Sequence, residues 1–250
     1  MPEWWTYSLT SFLLFSARTY YRLFELYNLD VWPLQVATLA LGVAILVIIL
    51  RAPAWGGRAV SAILGGLWLL VAWAYHLERY DPINFAARYY AMGFALQAAL
   101  LIWTGVIRNG LTFQTPLIPA KAGIQNNPLG ARSPWAPVFT GVSGAYGLAL
   151  LAYALLLHPL IPLSLGRPWT QGEVFGLAPD PTAIGTIGIL LTIRRLPWHL
   201  LTLPLLWCIV TGLTLWTMEQ PEAPLVPILA ILAVLAATWK TRTSQAAPDG

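Results

Sequence analysis

Charge is what this chain has least of. Asp, Glu, Lys and Arg together make up 10% of its 250 residues, against roughly 25% in soluble domains. So few charges cannot cover a water-exposed surface of that size, which excludes an ordinary soluble fold and leaves lipid as the solvent for most of the exterior. Cysteine is scarcer still. Cys208 stands alone, which excludes an intramolecular disulfide and a cysteine-cluster metal site. There is no HExxH, GxSxG or P-loop sequence and no pair of histidines at ligand spacing.

What is present is apolar and aromatic. Hydrophobic residues make up 58% of the chain, with thirteen tryptophans among them, and the mean hydropathy is +0.65. Long apolar runs predict spans near 33–50, 59–77, 85–107, 136–157, 180–194, 198–217 and 223–239. All but the fifth have about the 17–25 residues needed to cross a hydrocarbon core. The fold class expected is all-α: a polytopic transmembrane helical bundle of about seven spans after an N-terminal interfacial amphipathic helix. No span carries Asp, Glu, Lys or Arg near its middle, which argues against a proton-driven pump or a coupled transporter.

Residues 8–27 supply the amphipathic helix. Phe12, Leu13, Ser16, Tyr20, Leu23, Phe24 and Tyr27 follow helical spacing, and Arg18, Thr19, Arg22 and Glu25 fall mostly on the other side. Two arginines and a glutamate make it a poor span, so it is expected to lie along the membrane surface, with Trp4, Trp5 and Trp32 at headgroup depth. Met1 to Tyr7 has no Lys or Arg, and the first long apolar run starts near residue 33. No cleavable signal peptide is therefore expected.

The domain plan expected is an interfacial segment over 1–32, a transmembrane domain over 33–239 and a disordered cytoplasmic tail over 240–250. The loop 108–135 has no periodicity, and its piece Ile-Pro-Ala-Lys-Ala-Gly-Ile-Gln, residues 118–125, looks like a translated dispersed genomic repeat found in proteobacteria. It reads as a tolerated cytoplasmic insertion.

The net charge is only +4, and its basic residues are dispersed over short loops, so no nucleic-acid partner is expected. With the N-terminus outside, nine Lys and Arg fall on inside segments and five on outside ones, while nine of the ten acids fall outside. The Lys/Arg bias predicts a bacterial inner-membrane protein with its N-terminus out and its C-terminus in the cytoplasm.

Three stretches are candidate binding elements. Residues 75–90 gather His76, Glu78, Arg79, Asp81, Asn84 and Arg88 between two apolar runs. Imidazole titrates near neutral pH and carboxylates can orient it, so His76 is a candidate proton acceptor or metal ligand with Glu78 or Asp81 as partner. The same residues also suit a solvated hairpin turn, because Asp81-Pro82 is a turn signal. Gly176 to Thr182 interrupts the fifth run. Pro181 suits a first helical position and Asp180 the N-cap before it, giving a helix of about 20 Å at ~1.5 Å per residue, short for a crossing. Such a helix start can offer a site for a cation or a hydrogen-bond donor, or it can be a capped end at the outer interface. Asn28 and Gln35 flank Trp32-Pro33 and either face the same outer cavity or anchor the first span. The candidate ligand-binding residues are thus His76, Asn84, Asp180, Thr182, Asn28 and Gln35. No catalytic residue, metal-ligand set or cofactor is assigned. Small residues in the fourth and fifth runs, Gly141, Gly144, Gly147, Gly185 and Gly188, suit close helix packing.

Tyr27-Asn28 with Val31-Trp32-Pro33 and Gln35, Trp68 with Tyr75-His76, Ile83-Asn84, and Gly176-Leu177 with Pro179, Pro181-Thr182 and Gly188 together resemble an uncharacterised family of bacterial integral membrane proteins, the domain of unknown function numbered 6064. The resemblance implies a polytopic inner-membrane protein and no activity. A cysteine is common in that family between the two prolines, where this chain has Asp180, so thiol chemistry is not expected here.

The function expected is a non-enzymatic binding protein or an accessory and assembly subunit of a larger membrane complex. The alternative is a channel or carrier for a small polar solute or cation with an outward-facing site, and a membrane enzyme using His76 ranks below both. The partners expected are the lipid bilayer, membrane-protein partner subunits and a small polar ligand.

Overall fold

The computed structural model describes the backbone of residues 15–113 and 136–245 and the side chains of 15–113 and 143–242. The described chain is helical. α1 spans Ala17–Asp30 and α2 spans Leu34–Arg51. α3, Gly56–Leu70, continues as π-helix over Val71–Tyr80, and α4, Ala87–Leu101, continues likewise over Ile102–Ile107. α5, Ala136–Ala152, passes through a π turn at Tyr153–Leu157 and a 3-10 turn at His158–Leu160 into the short α6, Ile161–Ser164. α7 spans Pro179–Leu191, α8 Trp198–Thr217 and α9 Leu225–Gln245.

Among the described residues six helices are long and apolar enough to cross a membrane: Leu34–Arg51, Gly56–Tyr80, Ala87–Ile107, Ser143–Ser164, Trp198–Thr217 and Leu225–Arg242. The fifth expected span is different in kind. α7 has thirteen residues and every one is buried. It packs on α3, α5, α8 and α9 and so forms the axis of the bundle. A helix apolar all round belongs in an interior, and this one has no lipid-facing side.

The outer helices divide their surfaces between that axis and the exterior. In α2 the buried residues Thr38, Gly42, Ile45 and Ile49 make one helical stripe, while Val36, Val43 and Val47 are exposed. Trp32, Trp55, Trp169, Trp198 and Trp216 are exposed at or near helix ends, the depth at which amphipathic rings settle in a bilayer.

Close backbone approach lets α5 and α7 meet. A Cβ on Gly147 would lie 2.4 Å from the Gly188 carbonyl oxygen, and one on Gly188 would lie 2.5 Å from that of Gly147. The small-residue faces are therefore spent inside the chain. At its far end α7 is tied down by α9: the buried Lys240 donates from Nζ to the Leu191 carbonyl at 2.7 Å and to that of Ile193. A cation there complements the helix C-terminus.

The elements alternate in direction, which sorts charge between the two ends. Every described Asp and Glu lies at the end shared by α1, the 81–86 turn, the 165–178 loop and the 218–224 turn. Arg51, Arg58, Arg108, Arg194, Arg195, Lys240 and Arg242 lie at the other.

Two boundaries differ from expectation. α9 runs on to Gln245, past residue 239, because Lys240 is buried against α7 rather than starting a polar tail. α1 starts at Ala17 and lays its apolar face on protein: Phe24 stacks on Tyr75 at 5.2 Å, and Tyr27 meets the same ring at 5.9 Å. Trp4, Trp5, Phe12, Leu13, Gly141 as a packing residue and most of the 108–135 loop lie outside the described residues.

Gly188→Ala should destabilise the protein by about 1–3 kcal/mol, the usual range for overpacking. Gly93→Ala, where no neighbour lies within 4 Å of the added carbon, should not. Thermal unfolding of the two variants in detergent checks this, and equal midpoints would contradict the α5–α7 contact.

Candidate functional site

The site grows from the start of α7. Gly176 turns the chain with φ +81°, a left-handed conformation that suits glycine. Its N–H donates to Thr182 Oγ1 at 2.8 Å, and that hydroxyl donates onward to the Ala178 carbonyl at 2.6 Å. Thr182 thus closes the entry to the helix. Asp180 does not cap it as expected, because α7 already begins at Pro179 and Ala178 holds the N-cap place without a side-chain bond. The Asp180 carboxylate turns instead toward α8. There its Oδ1 accepts from Trp207 Nε1 at 2.6 Å and Thr211 Oγ1 at 2.7 Å.

Two more ligand-type side chains converge on it. His158 sits where the π turn after α5 ends, 4% exposed. Its Nδ1 lies 3.2 Å from the Tyr153 hydroxyl, and its Nε2 lies 3.9 Å from Glu173 Oε2. Ligand atoms of His158, Glu173 and Asp180 all fall within 4.8 Å of one another. Burial pushes the Glu173 carboxyl up to about 8. The Arg167 guanidinium pulls it back, Glu222 raises it further, and the Asp180 backbone N–H lowers it.

Around these three lies a charged rim. Arg167 pairs with Glu222 and sits 3.6 Å above the Tyr21 ring. The Tyr21 hydroxyl donates to Glu222 at 2.7 Å. Together with Gln171 these groups line a chamber of about 30 Å³ at the acid-rich end, room for one or two waters or a single ion. Four buried polar atoms of its lining residues have no hydrogen-bond partner: Arg167 Nη1, Gln171 Oε1, Glu173 Oε2 and Glu222 Oε2. Buried polar groups are ordinarily satisfied, so this concentration marks a place built around something polar.

Of the residues singled out from sequence, only Asp180 lines the chamber. Asn28 braces it from outside, donating from Nδ2 to the Thr170 and Gly172 carbonyls at 2.8 Å each, and Gln35 Nε2 donates to the Asn28 carbonyl at 2.7 Å. His76 is fully buried in an aromatic box of Tyr75, Tyr90, Phe94 and Trp207, with ring centroids 4.6–5.9 Å away and neither ring nitrogen hydrogen-bonded. It touches the site only through Trp207. Its expected carboxylate partners are elsewhere: Asp81 pairs with Arg88 at 2.8 Å, and Glu78 is exposed. Asn84 accepts the Ala86 N–H at 3.0 Å as a turn residue. The π-helical register of Val71–Tyr80 carries His76 inward, away from the carboxylates beside it in sequence.

Sequence reasoning missed His158, Glu173, Arg167 and Glu222. His158 lies at a helix end, and the others sit in short loops whose proximity arises only from folding. The one signal was the gathering of acids on a single side.

One family model, described as a family of unknown function (DUF6064), matches residues 17–122 and 133–247. The break between the two stretches falls inside the loop taken as an insertion. No curated protein and no solved structure matches the chain.

Glu173 sets a pH test. Its carboxyl is raised from 4.5 to about 8 in the fold, so between those values the folded state keeps a proton that the unfolded chain releases. The contribution of Glu173 to stability then falls as pH rises through that window. In chelator-treated protein, the midpoint of the native chain should drop from pH 4.5 to 8 relative to that of Glu173→Gln. Parallel pH profiles would contradict the burial of this carboxyl.

Proposed function

This chain belongs to the family of unknown function DUF6064, and from that premise, with no activity to inherit, we propose that it is a non-enzymatic multi-pass membrane protein that works by binding a small polar ligand in the chamber at the start of α7. The observation that carries this reading is the set of four unpartnered buried polar atoms facing one small space. A volume of about 30 Å³ fits an ion or a water-sized species and not a metabolite.

Binding without passage fits better than a channel or carrier. Beyond Asp180, α7 continues with Ile184, Ile187, Leu190 and Leu191, all buried and apolar. A permeating ion would meet them with the α7 hydroxyls of Thr182 and Thr186 already bonded to backbone carbonyls. His76, Asn84 and Asp180, the trio that a transport site would draw on, face three different places. The accessory-subunit form of the reading keeps its place as the setting for such a site, although the small-residue faces that motivated a partner are engaged within the chain.

The charge sorting supports a bacterial inner-membrane location with the acid-rich end and the chamber outside and the arginine-rich end in the cytoplasm. Because Cys208 is buried, the native chain serves as a blank for labelling. In intact cells a membrane-impermeant maleimide should label Glu78→Cys and not Arg51→Cys, and the reverse pattern would overturn the orientation.

For binding, the full chain in detergent is screened by thermal shift against monovalent and divalent cations, halides, phosphate and small amines. At least one should raise the midpoint of the native protein and not that of Asp180→Asn. A panel with no stabilising member would overturn the binding reading.

A further inference from the structure

The strongest unexplained feature is the triad itself, two carboxylates and one imidazole from three separate elements, held where water is scarce. From its geometry we infer that His158, Glu173 and Asp180 form a binding site for one first-row divalent metal ion of the zinc, iron or manganese class. This deepens the binding reading above and rests on it.

The distances fit. Three atoms no more than 4.8 Å apart have a common centre within about 2.8 Å of each, against ~2.0–2.2 Å for metal–nitrogen and metal–carboxylate bonds. Contraction of well under an ångström per side chain completes the first shell. The His158 Nε2 to Glu173 Oε2 separation of 3.9 Å already spans a metal placed between them.

The surroundings orient each ligand. The Tyr153 hydroxyl 3.2 Å from Nδ1 can accept from the Nδ1–H tautomer of His158, the tautomer that leaves the Nε2 lone pair for the ion. Trp207 and Thr211 hold Asp180 by its Oδ1 and leave Oδ2 for the ion. Such outer partners fix ligand direction in metal sites. Arg167 is engaged by Glu222 and by the Tyr21 ring, which leaves the Glu173 and Asp180 carboxyls to the ion. One imidazole among the ligands favours this class over calcium, which takes six to eight oxygens.

A second observation stands apart from the triad. Glu222 is 10% exposed, and its Oε2, buried and without a partner, lines the same chamber. It can accept from a water on the ion's open position, as the unpartnered Gln171 Oε1 can.

The test uses the untagged full chain, purified in detergent, stripped with a chelator and titrated with Zn²⁺ in competition with a metallochromic indicator. Co²⁺ serves as an absorbing surrogate for ligand number. One Zn²⁺ should bind per chain and raise the thermal midpoint. His158→Gln and Asp180→Asn should each weaken binding at least tenfold. Tyr153→Phe, which only loosens the imidazole, should weaken it by about tenfold, and His199→Gln, at the opposite end, should leave it unchanged. If the native chain binds none of Zn²⁺, Mn²⁺ and Fe²⁺ while another member of the ion panel stabilises it, the metal assignment fails and the binding reading survives. If no ion or solute stabilises it, both fail. Metal bound with undiminished affinity by both His158→Gln and Asp180→Asn would place the ion elsewhere and overturn the site.

Discussion

The Asp180 carboxylate, held inside the bundle by Trp207 and Thr211, is the constraint from which the rest of this structure follows. A carboxylate in the first turn of a buried helix is costly unless it is hydrogen-bonded. Two donors from α8 at 2.6 and 2.7 Å meet that need, and in doing so they fix the height and rotation of α7 against α8. With α7 so placed, Gly188 meets Gly147, Thr186 accepts from Trp68 Nε1 at 2.9 Å, and Lys240 reaches the last carbonyls. The axis helix is thus pinned at its start, middle and end by polar contacts.

The same anchoring creates the chamber. Asp180 offers only Oδ1 to α8, and the approach of the 165–178 loop brings Glu173 beside it. Two carboxylates in one small enclosure repel each other and lose hydration together. A fold that retains both, while committing its nearby arginine to a third carboxylate, has arranged an acid-lined pocket rather than an apolar one. That arrangement is difficult to explain as packing alone, since apolar residues of similar size would stabilise the interior more simply.

The architecture was legible because membrane spans announce themselves by length and apolarity alone. Leu34–Arg51 and Trp198–Thr217 fall within a residue or so of where their hydropathy puts them. α7 was legible as short, and Pro179-Asp180-Pro181 as its start, but its complete burial was not, since a sequence cannot say what surrounds a helix. The site was less legible for the same reason. Asp180 was visible because an acid between prolines at the edge of an apolar run is unusual. Glu173 and Glu222 are 49 residues apart and look like loop charges. His158 lay at a helix end where an imidazole usually meets interfacial water. Conversely, His76 attracted attention by its charged neighbours, and the change to π-helical winding after Leu70 separated it from them.

The most direct measurement is a double-mutant cycle between Asp180→Ala and Thr211→Val, read by reversible unfolding in detergent or bicelles. A buried hydrogen bond to a charged group gives a coupling of about 1–3 kcal/mol. The account predicts a value in that range. Strict additivity of the two substitutions would mean that Asp180 is not held by α8, and the placement of α7 and the chamber built on it would both be contradicted.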